Sequence, residues 1–173
     1  MEKKALFTAE ELANYICKRY FIANDGRKEI SPIKLQKSLY FLFAFWGAFV
    51  RRNIENKDYV EESIESCEYL FLDKFQAWAY GPVIPSIFKK YKNGELEYKD
   101  ADCDKIFLGK ESIIKETIDE LLDELFEVSD FKLVTISHED KCWQNNFDVE
   151  NHYHNKEINP DDIINEYACR KSL

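Results

Sequence analysis

Residues 39–50 form an unbroken apolar run, rich in rings: Tyr40, Phe41, Phe43, Phe45, Trp46 and Phe49. Polar residues flank it, with Lys34, Gln36 and Lys37 before and Arg51 and Arg52 after. Ser31 offers a side-chain cap, and Pro32 suits a first helical position, where its missing N–H needs no partner. Leu35, Leu39, Leu42, Trp46 and Phe49 fall alternately four and three apart, which makes one helical stripe. Phe41 and Phe45 lie off that stripe. The pattern predicts a helix over 31–52 that is apolar, and therefore buried, nearly all round. A bilayer span needs roughly 20 such residues, so this is a core helix that the rest of the chain must cover. Lys34, Gln36 and Lys37 fall on its first turns and are expected to be exposed.

Thr8 with Glu11 forms a capping box, Phe7 and Leu12 are placed for a hydrophobic staple, and Asn24-Asp25-Gly26 is a stop, so a first helix precedes the central one. The two should pack as a pair. Residues 53–68 are polar and read as a loop with a helical turn or two. The ring-rich stretch 69–80 has no Gly or Pro and alternates imperfectly, which predicts one or two short strands, broken by Gly81-Pro82. A short helix follows over 86–91, ended by Asn93-Gly94, and then an acidic loop. Residues 111–128 are amphipathic: Ile114, Ile118, Leu121, Leu122 and Leu125 face in, while Glu116, Asp119, Glu120, Asp123, Glu124 and Glu127 face out. Residues 131–137 read as helix or strand, and 138–146 as a polar loop carrying Trp143. Asn159-Pro160-Asp161-Asp162 starts a C-terminal helix over about 160–170, burying Ile163, Ile164, Tyr167 and Ala168. The fold class expected is mainly α, a single compact helical domain (1–173) around a buried central helix, with a small two- or three-stranded antiparallel β element.

Composition changes this picture in two ways. Five scattered cysteines without a C-x-x-C pair suggest free thiols in a reducing cytoplasm, and no signal-like or membrane-spanning run is present. The formal charge is −9, and 95–130 holds thirteen Asp/Glu against four Lys, so the remainder is balanced. Such a chain repels phosphate backbones. Lys28, Lys34 and Lys37 sit near a turn, but the helix after them is a core helix that cannot lie in a DNA groove. Neither nucleic acid nor membrane is an expected partner.

Candidate chemistry is sparse. Nucleophile-elbow, P-loop and dinucleotide-binding patterns are absent. His138-Glu139-Asp140 and the pair His152 and His154 hold metal-ligating types without the spacing of a known site, so no metal, cofactor or catalytic residue is assigned. Cys142, four residues from His138, leaves open a small metal- or thiol-dependent hydrolase using His138, Glu139 or Cys142; a small buried thiol is the plainer reading. The acidic face Glu116, Asp119, Glu120, Asp123 and Glu124 is either a solvated surface or one that steers a basic partner.

Two motifs point further. K-L-Q-K-x-L-Y-F over 34–41 and W-x-Y-G-P-V-x-P over 78–85, followed by an acidic amphipathic helix and the turn SHEDKCW at 137–143, together resemble the Panacea domain of SocA-like antitoxins, a family that includes phage-associated GepA-like proteins. The resemblance covers about 8–146. Ser137 stands where the family's turn often has Thr, and Cys142 where it has Pro. It implies a helical fold with a small β element and an antitoxin that neutralises a cognate toxin, encoded next door, by protein–protein contact. Some relatives instead act as adaptors that deliver a toxin to a protease, so a host protease or regulator is the alternative partner. The residues expected to form a binding surface are Lys34, Lys37, Trp78, Tyr80, Val83, His138 and Trp143, converging near the start of the central helix and the Gly81-Pro82 turn. Tyr40, if buried, needs a partner for its hydroxyl.

Overall fold

The computed structural model describes residues 3–56, 67–151 and 155–170, the side chain of Asn56 apart. Its first helix, α1, spans Ala9–Ala23. Both halves of the Thr8–Glu11 capping box form, with Glu11 N–H donating to Thr8 Oγ1 (3.2 Å) and Thr8 N–H to Glu11 Oε2 (2.8 Å). Asp25 and Gly26 turn the chain with φ of 55° and 68°. The central helix, α2, runs Pro32–Asn56, a turn longer than its apolar pattern. Ser31 Oγ accepts from Lys34 N–H (3.0 Å) and caps it. Leu35, Leu39, Tyr40, Phe41, Leu42, Phe43 and Trp46 are all buried. Phe49 departs from the expected stripe at 38% exposed, because the described elements only partly cover that face.

Residues 69–80 do not form the expected strands over most of their length. Tyr69, Leu70, Phe71 and Phe75 are buried together instead of alternating. Phe43 on α2 touches three of them, with ring centroids 5.4 Å from Tyr69, 5.1 Å from Phe71 and 5.9 Å from Phe75. Anchoring to a helix side has replaced the period of two. Only β1, Gln76–Trp78, is a strand, and Gly81-Pro82, expected to break it, opens its partner β2, Gly81–Val83. The antiparallel register is Gln76↔Val83, Ala77↔Pro82 and Trp78↔Gly81. On its other edge β1 meets 156–158: Ala77 N–H donates to Lys156 O (2.9 Å), and Ile158 N–H to Phe75 O (2.8 Å).

Five helices follow: α3 Pro85–Lys92, α4 Ser112–Glu127, α5 Asp130–His138, α6 Lys141–Gln144 and α7 Pro160–Ala168. A 3-10 turn, Cys103–Phe107, precedes α4. The open choice at 131–137 resolves as helix, capped by Ser129. The loop expected at 138–146 contains α6. Helix α7 packs closely along α2, and a Cβ added at Gly47 would lie 2.5 Å from Ile164 Cγ1. The fold is thus mainly α with a two-stranded antiparallel sheet, and one apolar cluster joins α1, α2, the hairpin and the later helices. No helix among the described residues is long and apolar enough to cross a membrane.

Helix α4 corrects one face assignment. Glu116, Glu120, Asp123 and Glu124 are exposed, but Asp119 turns inward. It accepts from the Tyr15 hydroxyl and from Lys115 Nζ (2.7 Å), and lies 3.4 Å from Arg19. Asp123 also pairs with Arg19 (2.6 Å). Helix α1 therefore claims part of the expected outer face.

Candidate functional site

Lys34, Gln36 and Lys37 are buried, against expectation. Each polar head is drawn inward by backbone groups of another element that would otherwise be unsatisfied. Lys34 Nζ donates to Phe126 O (2.9 Å) and Val128 O (2.5 Å), the carbonyl end of α4, where a cation is favoured. Gln36 accepts from Ile84 N–H (2.8 Å) and donates to Ile84 O (3.4 Å). Lys37 Nζ donates to Pro82 O (2.8 Å). The first turns of α2 thus clamp the hairpin and the α4–α5 junction.

Gly81 makes the clamp sterically possible. Its φ is 93°, and a Cβ there would collide with Ser137 Oγ and lie 2.8 Å from Lys37 Nζ. Ser137 is itself buried, donating to Val134 O (2.8 Å). Glycine is required on both conformational and steric grounds.

Beside this clamp is a pocket of about 340 Å³ lined mainly by Pro32, Ile33, Gln36, Lys37, Trp78, Tyr80, Val83 and Phe88. Trp78 meets Phe88 edge-on at 5.2 Å, and Tyr80 stands at the rim, 62% exposed. Lys37, one of the lining residues, is 1% exposed. Burial alone lowers its amine from 10.5 to about 7. Among the described residues no Asp or Glu lines this pocket, and no carboxylate pairs with Lys37.

His138 stacks on Trp143 (4.0 Å, 12°), and Trp143 Nε1–H donates to Trp78 O (3.0 Å). The imidazole is held below its usual value by burial and then by the nearby Lys37 charge, against a backbone hydrogen bond with Ala79. The structure therefore brings Lys37, Trp78, Tyr80, Val83, His138 and Trp143 together around the hairpin, and leaves Lys34 apart at the end of α4.

A second polar centre went unread in the sequence. Asp140, fully buried, accepts from Tyr40 OH (2.6 Å), Tyr167 OH (2.8 Å) and the Arg170 guanidinium. Burial pushes its carboxyl up, while Tyr40, Arg170 and Tyr167 pull it back. Glu166 accepts from the amides of Lys141 (2.8 Å) and Cys142 (2.9 Å), which holds its carboxyl down against the cost of burial. Tyr40 thus finds the partner its burial demands. Asp140 had a visible signal as a helix start ahead of Lys141, but its partners lie 100, 27 and 30 residues away.

The residues named for a hydrolase have different surroundings. His138 is half-buried, Glu139 exposed and Asp140 buried. Cys142 Sγ is 3.3 Å from Tyr40 OH, and burial pushes its thiol up to about 12, whereas a reactive cysteine needs the opposite shift. His152 and His154 lie outside the described residues, among which no group of three or more His, Cys, Asp or Glu is placed to hold a metal.

Helix α2 and the hairpin clamped to its polar first turns define a mainly helical domain whose two sequence motifs meet in space. Residues 61–144 match the family model described as antitoxin SocA-like, Panacea domain. The match holds the hairpin and α3–α6, so the resemblance drawn from the motifs stands over that stretch; the motif at 34–41 precedes it and joins it through Gln36 and Lys37. No curated protein and no solved structure matches the chain.

Proposed function

We propose that this protein is an antitoxin-like binding domain that neutralises a partner toxin by direct protein–protein contact in the cytoplasm, without catalysis. The family match over 61–144 supports an antitoxin role in general. The single observation that carries the location is the clamp: the hairpin within the matched stretch is fixed on α2 by Lys37 and Gln36, with Trp78 half-buried and Tyr80 exposed beside it. Rigid aromatic side chains at a rim are the residue types that anchor protein interfaces. Burial makes Lys34, Gln36, Ser137 and Trp143 supports of that surface, and Trp78, Tyr80 and His138 its contact groups. The exposed acids Glu116, Glu120, Asp123 and Glu124 would steer a basic partner to the same domain.

Co-expression with the product of the adjacent gene tests the reading. That product should arrest growth alone and be harmless beside this chain, and Tyr80→Ala with Trp78→Ala should restore arrest while leaving the domain folded. A neighbour that is harmless alone, or toxic regardless of this chain, refutes it for that pair. Loss of the neighbour only in cells holding a particular protease would show delivery rather than blocking.

A further inference from the structure

The pocket beside the hairpin joins two properties that rarely coincide. Its walls are apolar, from Pro32, Ile33, Trp78, Val83 and Phe88, and its volume of about 340 Å³ suits one large side chain with part of a neighbour. A buried lysine, Lys37, is among the residues that line it. An ammonium has three donors, and Lys37 places one on Pro82 O. Gln36 is occupied at both ends by Ile84, and Asn155 is the other polar side chain of the lining, a neutral amide. The buried partner of a cation is ordinarily an anion, as Asp140 is for Arg170, and none is supplied to Lys37 by the described residues. A purely apolar occupant would leave the amine as it is, and a cationic one would be repelled.

We infer that this pocket receives a partner-protein segment in which an Asp or Glu side chain, seated on Lys37, adjoins an aromatic or aliphatic side chain held by Trp78, Val83 and Phe88. The carboxylate completes the lysine, and the apolar neighbour fills the walls. The inference rests on the proposed reading that this face meets a partner protein, and names that partner's chemistry. The chain's excess acid lies in 95–130, and none of those residues lines the pocket, so that acid does not oppose an incoming carboxylate at close range.

A random heptapeptide phage library panned on the full chain, with parallel panning on Lys37→Met, tests it. Enriched peptides should carry Asp or Glu within two residues of an aromatic or aliphatic side chain. A synthetic copy should bind the wild-type chain at least about tenfold more tightly than Lys37→Met. Changing the peptide's Glu to Gln should cost a similar factor on wild type and almost nothing on Lys37→Met, since the two changes remove one contact. Tyr80→Ala, at an exposed rim position, should fold normally and weaken the same peptide severalfold. Failure to enrich any peptide, enrichment without acids, or equal binding to folded Lys37→Met overturns the inference. Should Lys37→Met not fold, the Glu-to-Gln peptide and Tyr80→Ala decide it alone. Competition by 3-phenylpropionate as strong as by the peptide would make this a small-molecule site and overturn the peptide assignment. Toxin neutralisation in co-expression is scored separately: if it persists in Lys37→Met while no peptide is selected, the inference fails and the antitoxin reading stands, and if peptides are selected but no neighbour is neutralised, the reverse holds.

Discussion

Asp140 and Lys37 are both buried ionisable residues at motif positions, and they are treated oppositely. Asp140 is surrounded by donors from three places: Tyr40 on α2, Tyr167 on α7 and Arg170 beyond it. Lys37 has one backbone carbonyl. A charge whose hydrogen bonds are complete holds elements together, and removing it strands its partners. A charge left under-partnered beside an apolar pocket costs the fold something, and a ligand's carboxylate would complete it. The first ties α7 to the turn at 137–143, and the second faces the surface proposed to meet a partner.

The largest expected effect lies on the Asp140 side. Asp140→Ala leaves the Arg170 guanidinium and two tyrosine hydroxyls without their acceptor, and should cost about 3–5 kcal/mol in urea unfolding. A loss below about 1 kcal/mol would mean that the network holds nothing. Next is Gly81→Ala, expected to cost at least about 1–3 kcal/mol from the positive φ alone, with the collision against Ser137 and Lys37 added. Near-wild-type stability there would show that the clamp can open without penalty.

Lys37→Met should behave differently, with stability within about 1–2 kcal/mol of wild type, because it fills the same volume and removes a buried cation lacking a counter-ion, which offsets the lost hydrogen bond to Pro82 O. Its pH dependence follows. The unfolded chain keeps the Lys37 proton up to about 10.5, and the folded protein only up to about 7. Between those values the unfolded state binds more protons, so this group makes stability rise with pH across that window, and its full penalty applies below about 7. Thermal melts of wild type minus Lys37→Met should show that rise; a flat difference would refute the lowered amine. The smallest effects belong to the outer face of α4. Glu116→Lys with Glu120→Lys should change stability by less than about 0.5 kcal/mol, and Asp123→Lys, which loses the Arg19 pair, by no more than about 1 kcal/mol. Unfolding of any of them would show that the face is not solvent-facing.

Much of the architecture was legible because its causes are local. The capping box at Thr8, the Asn159-Pro160 start and the apolar faces of α2 and α4 each need only neighbours in sequence. The stretch 69–80 misled because an aromatic-rich run suits a strand or a helix-packed segment equally, and Phe43 decided between them. Lys34, Gln36 and Lys37 misled for a related reason. Polar residues on a first turn are solvated unless another element brings carbonyls to them, and those carbonyls, Phe126, Val128, Pro82 and Ile84, lie at least 45 residues on. The six site residues around the hairpin were named from motifs, and which of them reach solvent was not readable.

By itself the sequence determined a long helix that had to be buried and the helices packed over it, since hydrophobic period, caps and turn residues act over a few positions. Tertiary structure alone decided which buried charge is complete. The sequence displays the partners of neither Asp140 nor Lys37. Their partners come from other elements, and the free energy of a buried charge is set by what packs around it.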